Sequence, residues 1–242
     1  MQLFAKTDKG KVRSVNQDSF ATNVLADGSV LAVVCDGMGG ASAGDIASKT
    51  ACEIISQYVT NAYSKSMNSE AIAKLLQNAI LSANVNVFSL SQKDENLHGM
   101  GTTVVATIAN DNRAIVCNVG DSRAYLLSND TLKQITRDHS MVQSLVESGK
   151  LSPEEAIAHP KKNIITRALG VEENLIIDNF CVDIDAENKL LLCSDGLSNC
   201  VAEENILSIV NNNALDKAVD ILIQEANFAG GKDNITAVIV SH

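Results

Sequence analysis

The chain has 242 residues, of which 45% are hydrophobic, and a formal net charge of −10. That length and apolar content support a folded core rather than a disordered chain. The negative charge disfavours nucleic acid or an anionic membrane as a partner, and no apolar stretch reaches the roughly 20 residues of a membrane helix. Residues 1–10 carry Lys6, Asp8 and Lys9 and lack an apolar leader run, so no secretory signal is expected. The six cysteines (Cys35, Cys52, Cys117, Cys181, Cys193 and Cys200) form no C-x-x-C pair and read as reduced core thiols, which places the protein in the cytoplasm.

The first residues alternate toward a strand. Residues 19–23 and 30–35 flank Asp27-Gly28, a hairpin turn pair. Residues 45–60 set Ile46, Thr50, Ile54, Ile55, Tyr58 and Val59 on a helical stripe. Residues 69–90 repeat the pattern with Ile72, Leu75, Leu76, Ala79, Ile80, Ala83 and Val87. Strand patterns follow at 102–108, 113–119 and 123–127, the last ending at the turn residues Ser128-Asn129-Asp130. Two short helices are expected at 140–149 and 152–159, the second with a capping box from Ser152 to Glu155 and Pro153 at its first position. They fall between sheet elements, so 140–163 reads as an inserted flap. Strands at 176–183 and 189–193, helices at 203–211 and 215–228, and a strand at 235–240 complete the chain. With only two prolines and no linker or repeat, residues 1–242 read as one domain. Mostly antiparallel strands with segregated helix pairs give an α+β layered sandwich.

Three apolar runs deliver a carboxylate at a strand end. Residues 30–35 stop at Asp36-Gly37, residues 190–193 lead into Ser194-Asp195-Gly196, and Asp233-Asn234 precedes residues 235–240. An antiparallel last strand would bring all three aspartates to one end of one sheet. Unpaired carboxylates at water-poor strand ends are costly unless a cation neutralises them. Asp121 ends a further apolar run at Gly120-Asp121-Ser122-Arg123, and Asp18 closes the segment that starts at Arg13. Hard oxygen donors with no His or Cys cluster point to Mg²⁺ or Mn²⁺ rather than zinc.

Eight ordered strings then carry a specific resemblance. They are Thr7-Asp8-Lys9-Gly10 with Arg13 to Asp18, Val34-Cys35-Asp36-Gly37-Met38-Gly39-Gly40, Gly99-Met100-Gly101-Thr102-Thr103, and Val119-Gly120-Asp121-Ser122-Arg123-Ala124-Tyr125. The others are Thr136-Arg137-Asp138-His139-Ser140, Thr166-Arg167-Ala168-Leu169-Gly170, Cys193-Ser194-Asp195-Gly196-Leu197, and Gly231-Lys232-Asp233-Asn234-Ile235-Thr236. Across essentially its whole length the chain resembles a metal-dependent Ser/Thr protein phosphatase of the protein phosphatase 2C (PPM) family, bacterial type. The resemblance implies a four-layer α-β-β-α sandwich and hydrolysis of phosphoserine and phosphothreonine on proteins. By the same resemblance Asp36 would bridge two metal ions and the Gly37 carbonyl would bind the second. Asp195 and Asp233 would hold the first, Asp18 would act through metal-bound water, and Asp121 with Asp195 would form a third, weaker site. Arg13 would grip the substrate phosphate through its planar fork. Two cations sharing one water would bring its pKa toward neutrality, so no covalent phosphoenzyme is needed. The implied cofactors are two, possibly three, Mn²⁺ or Mg²⁺ ions. The implied partners are phosphorylated protein substrates and a cognate Ser/Thr kinase with its targets, and the chain is expected to be a monomer.

The chain departs from the family pattern where some relatives carry a histidine, at Met38 and Ala41, and where some carry a glutamate, at Gln17. Leaving-group protonation therefore has no assigned side chain. His139 reads as a structural residue of a strand-to-flap turn, and His98 and His159 as loop residues. Two other readings are a pseudophosphatase module that docks a kinase or regulator, and a hydrolase of small phosphoesters. A pseudophosphatase is expected to have lost one of Asp36, Asp195, Asp233 or Arg13, and all four are present.

Overall fold

Strand β1 (Gln2–Asp8) opens the chain. The hairpin of β2 (Asp18–Val24) and β3 (Val30–Met38) follows, its turn closed by the Asp27 carboxylate accepting from the Ser29 N–H at 3.0 Å. The computed structural model describes residues 1–40, 43–110 and 112–242. Helices α1 (Ala43–Ala62) and α2 (Ser69–Lys93) come next, then β4 (Gly101–Thr102), β5 (Val104–Ala109), β6 (Arg113–Val119), β7 (Arg123–Ser128) and β8 (Thr131–Gln134). Short helices α3 (Met141–Glu147) and α4 (Pro153–Ile157) precede β9 (Asp178–Asp183) and β10 (Lys189–Cys193). Helices α5 (Asp195–Ser198), α6 (Glu203–Asn212) and α7 (Leu215–Phe228) and strand β11 (Ile235–Ser241) end it. The capping box of α4 is formed in both directions, Glu155 N–H to Ser152 Oγ and Ser152 N–H to Glu155 Oε2.

Among the described residues the strands build two antiparallel sheets. One runs β1-β11-β10-β7-β8, the other β2-β3-β5-β6-β9 with β4 beside β3. Side chains of a strand alternate between faces, and on the central strands β3, β5, β10 and β11 both faces are dry. On β3, Leu31, Val33 and Cys35 join a core formed with α1 and α2, while Val30, Ala32 and Val34 join a second core between the sheets. On β10 and β11, Leu191, Cys193, Ile235, Ala237 and Ile239 pack beneath α6 and α7. Leu190, Leu192, Val238 and Val240 face the other sheet. The layer order is helices, sheet, sheet, helices, as expected. At about 1.5–3 kcal/mol per fully buried large aliphatic side chain, these cores are the main stabilising term.

Three expectations are corrected. Asp36 ends a strand of one sheet, whereas Asp195 and Asp233 flank the antiparallel pair β10–β11 of the other. The aspartates thus meet across the seam between two sheets, not along one; runs buried on both faces carry no alternation that would assign them to a sheet. Next, the stripe on α1 is displaced. Ile46 (37% exposed) and Tyr58 lie open, and the buried face is Ala43, Gly44, Ala47, Ser48, Ala51, Cys52, Ile55 and Val59. Small residues let the helix approach the sheet closely, so here size rather than hydropathy marks the inner face. Finally, Cys181 is exposed and Cys200 half-buried, while the other four cysteines are buried. Strand β8 and helix α5 lie outside the predicted elements, and Thr103 interrupts the strand expected at 102–108.

Ala51→Leu should overpack the face of α1 and destabilise the protein by about 1–3 kcal/mol in urea unfolding. Ile46→Ser should stay within about 0.5 kcal/mol; the reverse ranking would show that α1 packs by its larger residues.

Candidate metal centre

The core between the sheets turns polar at one end. Phe20 of β2, Val34 of β3, Leu192 of β10 and Val238 of β11 belong to that core. Two residues from each, on the same face, stand Asp18, Asp36, Ser194 and Thr236. Thr103 before β5 and Ser122 before β7 continue the same faces as Val105 and Ala124. The register pairs Asp18 with Asp36 directly across β2 and β3.

Asp18 is the floor of the site. It is only 4% exposed, and its Oδ2 accepts from the Ser194 and Thr236 hydroxyls, each at 2.7 Å. Thr236 donates to Asp18, so Thr7 donates to Thr236 at 2.7 Å and Asn16 to Thr7 at 2.9 Å, a relay of donors ending on one carboxylate oxygen. Asp18 Oδ1 is buried with no hydrogen-bond partner among the described residues, and so is Asp195 Oδ1. Under Asp36, its carbonyl accepts from Thr103 N–H and Thr102 Oγ1, and its N–H donates to Thr103 Oγ1, which pairs with Ser122 Oγ at 2.7 Å.

Asp36, Asp121, Asp195 and Asp233 line a cavity of about 240 Å³ together with Arg13, Gln17, Gly37, Met38 and Asn234. Two glycines let its walls meet. A Cβ on Gly37 would lie 2.0 Å from the Gly44 carbonyl oxygen, and one on Gly196 would lie 1.9 Å from that of Asn234. The Asn234 side chain accepts from Gln17 N–H and donates to the Lys9 and Val15 carbonyls, which holds the loop that carries Arg13. Arg13 Nη2 reaches Asp233 Oδ2 at 2.8 Å, and this hydrogen bond holds the guanidinium firmly charged.

Burial pushes the Asp18 carboxyl up to about 7, against the pull of its two hydroxyl donors. Burial and the Asp195 charge hold Asp121 at about 7, and burial and Asp233 hold Asp195 at about 6. Asp36 is raised well above the usual carboxylate range by burial and then by Asp18 and Asp195. Among the described residues no three His, Cys, Asp or Glu stand as a finished ligand cage; the carboxylates surround a space. Orphaned oxygens, mutual repulsion and an all-oxygen donor set fit divalent cations of the Mg²⁺ or Mn²⁺ kind.

A sequence profile described as protein phosphatase 2C matches residues 10–225. The chain belongs to the protein phosphatase 2C family. It is 41% identical over 236 residues to the serine/threonine phosphatase stp of Listeria monocytogenes, covering 97% of this chain and 93% of that one. The crystal structure of the serine/threonine phosphatase Stp1 from Staphylococcus aureus superposes with a TM-score of 0.94 at 33% identity, covering 100% of this chain and 94% of that one. The catalytic domain of the phosphatase PstP, solved in complex with two manganese ions, matches with a TM-score of 0.85 at 31% identity, covering 98% and 96%. The family's sandwich of two antiparallel sheets between helix layers is the fold described above.

The structure thus gathers Arg13, Asp18, Asp36, Gly37, Asp121, Asp195 and Asp233 at one end of the inter-sheet seam. Met38 lines the same cavity, and Ala41 lies outside the described residues. His139 stands apart from the cavity. It is buried, accepts from the Gly120 N–H at Nδ1 (3.0 Å) and turns Nε2 toward Asp178 at 3.3 Å, with Arg167 bonded to the same carboxylate. It therefore anchors the turn before Asp121. Sequence reading missed Thr7, Asn16, Thr103, Ser122, Ser194, Asn234 and Thr236 as a network. For four of them (Thr103, Ser122, Ser194 and Thr236) the signal was present: a polar residue two places beyond a buried apolar one in an otherwise dry strand.

Raised carboxyl pKa values set the direction of pH dependence. Below about pH 4 both the folded and unfolded chains hold these protons. Between about 4 and 7 the unfolded chain ionises first, at about 3.9 per Asp, so folding of the cation-free protein is weakened as pH rises. Thermal melts in chelator should show stability falling from pH 4.5 to 7.5, with a shallower fall for Asp195→Asn. A parallel profile in the variant would show that Asp195 ionises freely in the fold.

Proposed function

We propose that this serine/threonine protein phosphatase works as one catalytic unit over residues 1–242, at the cavity between its sheets. It hydrolyses phosphoserine and phosphothreonine on proteins there, with two Mg²⁺ or Mn²⁺ ions and room for a third. The observation that carries this reading is the pair of orphaned carboxylate oxygens, on Asp195 in a carboxylate-lined cavity that also holds Arg13 and on Asp18, paired with Asp36 of that cavity across β2 and β3. Asp36, the Gly37 carbonyl, Asp195 and Asp233 would hold the two ions, and Asp121 with Asp195 a third. When bound, the cations supply Lewis acidity that acidifies water and offsets charge on the phosphoryl oxygens.

The chain's own residues do the remaining work. Asp18 has Oδ2 fixed by two hydroxyls and Oδ1 free, so it can orient water and accept a proton at Oδ1. Arg13 is about half exposed at the cavity edge and uses one nitrogen on Asp233, which leaves further N–H donors for a phosphate. Neither His nor Cys is among the described residues that line the cavity. A covalent phosphoenzyme therefore has no candidate nucleophile of those types, and protonation of the leaving oxygen falls to a group other than His or Cys.

Substrates are the phosphoprotein products of a Ser/Thr kinase, and the enzyme acts as a cytoplasmic monomer. No helix among the described residues is long and apolar enough to cross a membrane. The names of the relatives from Listeria and of the protein phosphatase PhpP of Streptococcus pneumoniae support phosphoprotein substrates. The intact set of Asp36, Asp195, Asp233 and Arg13 disfavours a pseudophosphatase.

Hydrolysis of a phosphothreonine peptide should require added Mn²⁺ or Mg²⁺ and cease in EDTA. Asp36→Asn should lower kcat by roughly 10²–10³-fold, the scale of losing one electrostatic stabiliser. Undiminished turnover in metal-free buffer would refute the reading. Arg13→Ala should raise KM roughly 10- to 100-fold, as expected for a charged hydrogen bond worth about 1.5–3 kcal/mol, with a smaller change in kcat. An unchanged KM would remove Arg13 from the phosphate.

A further inference from the structure

A second cavity, of about 330 Å³, adjoins the catalytic one. Its apolar lining is Met38, Ile165, Ala168, Val171, Leu175 and Ile176. Met38 and Ile165 line both cavities, so the two adjoin across these side chains. The groove lies open to solvent: Ile176 is 67% exposed and Val171 41%. Single exposed aliphatic residues are ordinary. Several around one concavity that opens into a catalytic site mark a binding surface.

We infer that this groove receives an apolar side chain of the substrate polypeptide close to the phosphorylated residue. The inference rests on the phosphatase reading and adds a sequence preference to it. The occupant follows from the chemistry of the neighbouring site. A phosphoserine or phosphothreonine held in the catalytic cavity is part of a chain whose residues advance at most about 3.3–3.6 Å each, so its near neighbours must cross the rim. On the Met38–Ile165 side that rim is aliphatic. Asp121 and Asp195 lead into another cavity, where aliphatic residues such as Val142, Val146 and Ile157 are interspersed with the charged Arg123, Asp138, Lys162 and Glu203. Among the described residues lining the groove the cation is Arg167, matched by Asp178 at 2.8 Å, and the remaining charge is the carboxylate of Glu172, so nothing there favours an acidic neighbour. The groove therefore sorts substrates by apolar burial, while the phosphate is held by the adjacent site.

The test is kcat/KM on phosphothreonine peptides in which Leu, Ser, Glu or Lys is placed in turn at each of the three positions on either side, with p-nitrophenyl phosphate as a substrate that has no flanking chain. The wild-type enzyme should prefer Leu over Ser roughly tenfold at one position, the scale of a hydrophobic pocket's discrimination. Ile176 is exposed enough to change without threatening the fold. Ile176→Ser should abolish that preference and leave p-nitrophenyl phosphate turnover unchanged. Ile176→Lys should transfer the preference to Glu at the same position. A flat wild-type profile, or equal losses on every peptide and on p-nitrophenyl phosphate, would overturn the inference. So would a change in sedimentation for Ile176→Ser with unaltered peptide selectivity, which would make the groove a contact between copies of the chain. If Mn²⁺-supplemented wild-type protein turns over neither peptides nor p-nitrophenyl phosphate, it is the phosphatase reading that fails.

Discussion

Five carboxylates at the end of a dry seam repel one another, and the rest of the molecule is arranged to hold them there. Asp18 and Asp36 belong to one sheet, Asp195 and Asp233 to the other, and Asp121 to the turn between β6 and β7. One buried core joins the two sheets face to face, and a further core fastens each sheet to its helix layer. The apolar packing thus opposes a local electrostatic cost, which a cation would turn into binding free energy because separated charges would then have a common partner. An enzyme built this way can hold a metal tightly without dedicated soft ligands.

The placement of those carboxylates relies on polar residues that touch no cation site of their own. Asp18 is fixed by hydroxyls from the opposite sheet, so its hydrogen bonds also tie β2 to β10 and β11. Asn234 spends its side-chain amide on three backbone groups of the Arg13 loop. His139 does the corresponding work behind Asp121, through the Gly120 N–H. Buried polar groups of this kind are stabilising only when partnered, as the hydroxyls of Ser194 and Thr236 and the amide of Asn234 are.

Much of this was legible in the sequence. The strand ends at Asp36, Asp195 and Asp233, the stripe of α2 and the helix pairs follow from periodicity and punctuation. Motif order across the chain points to the protein phosphatase 2C family. What periodicity could not supply was sheet membership: β3, β10 and β11 are apolar on both faces, so the pattern that separates inside from outside is absent. The inner face of α1 was misread because Ala47, Ser48 and Ala51 are chosen for size. The support network was hidden because one Thr or Ser at the end of a strand resembles an ordinary cap, and its parity gains meaning only once the seam between the sheets is known.

The segment that carries α3 and α4 leaves and re-enters the fold at nearly one point. Ser140 bridges Ile165, Met141 N–H donates to the Ile164 carbonyl at 2.9 Å, and Thr166 N–H donates to that of His139 at 2.7 Å. For a loop whose ends are already pinned the closure entropy changes little with length, about 0.6 kcal/mol for each doubling. Residues between the pins can therefore be shortened, extended or exchanged with those of a relative while the carboxylates keep their places. Variation in that segment would retune which proteins approach the rim without rebuilding the chemistry beneath it.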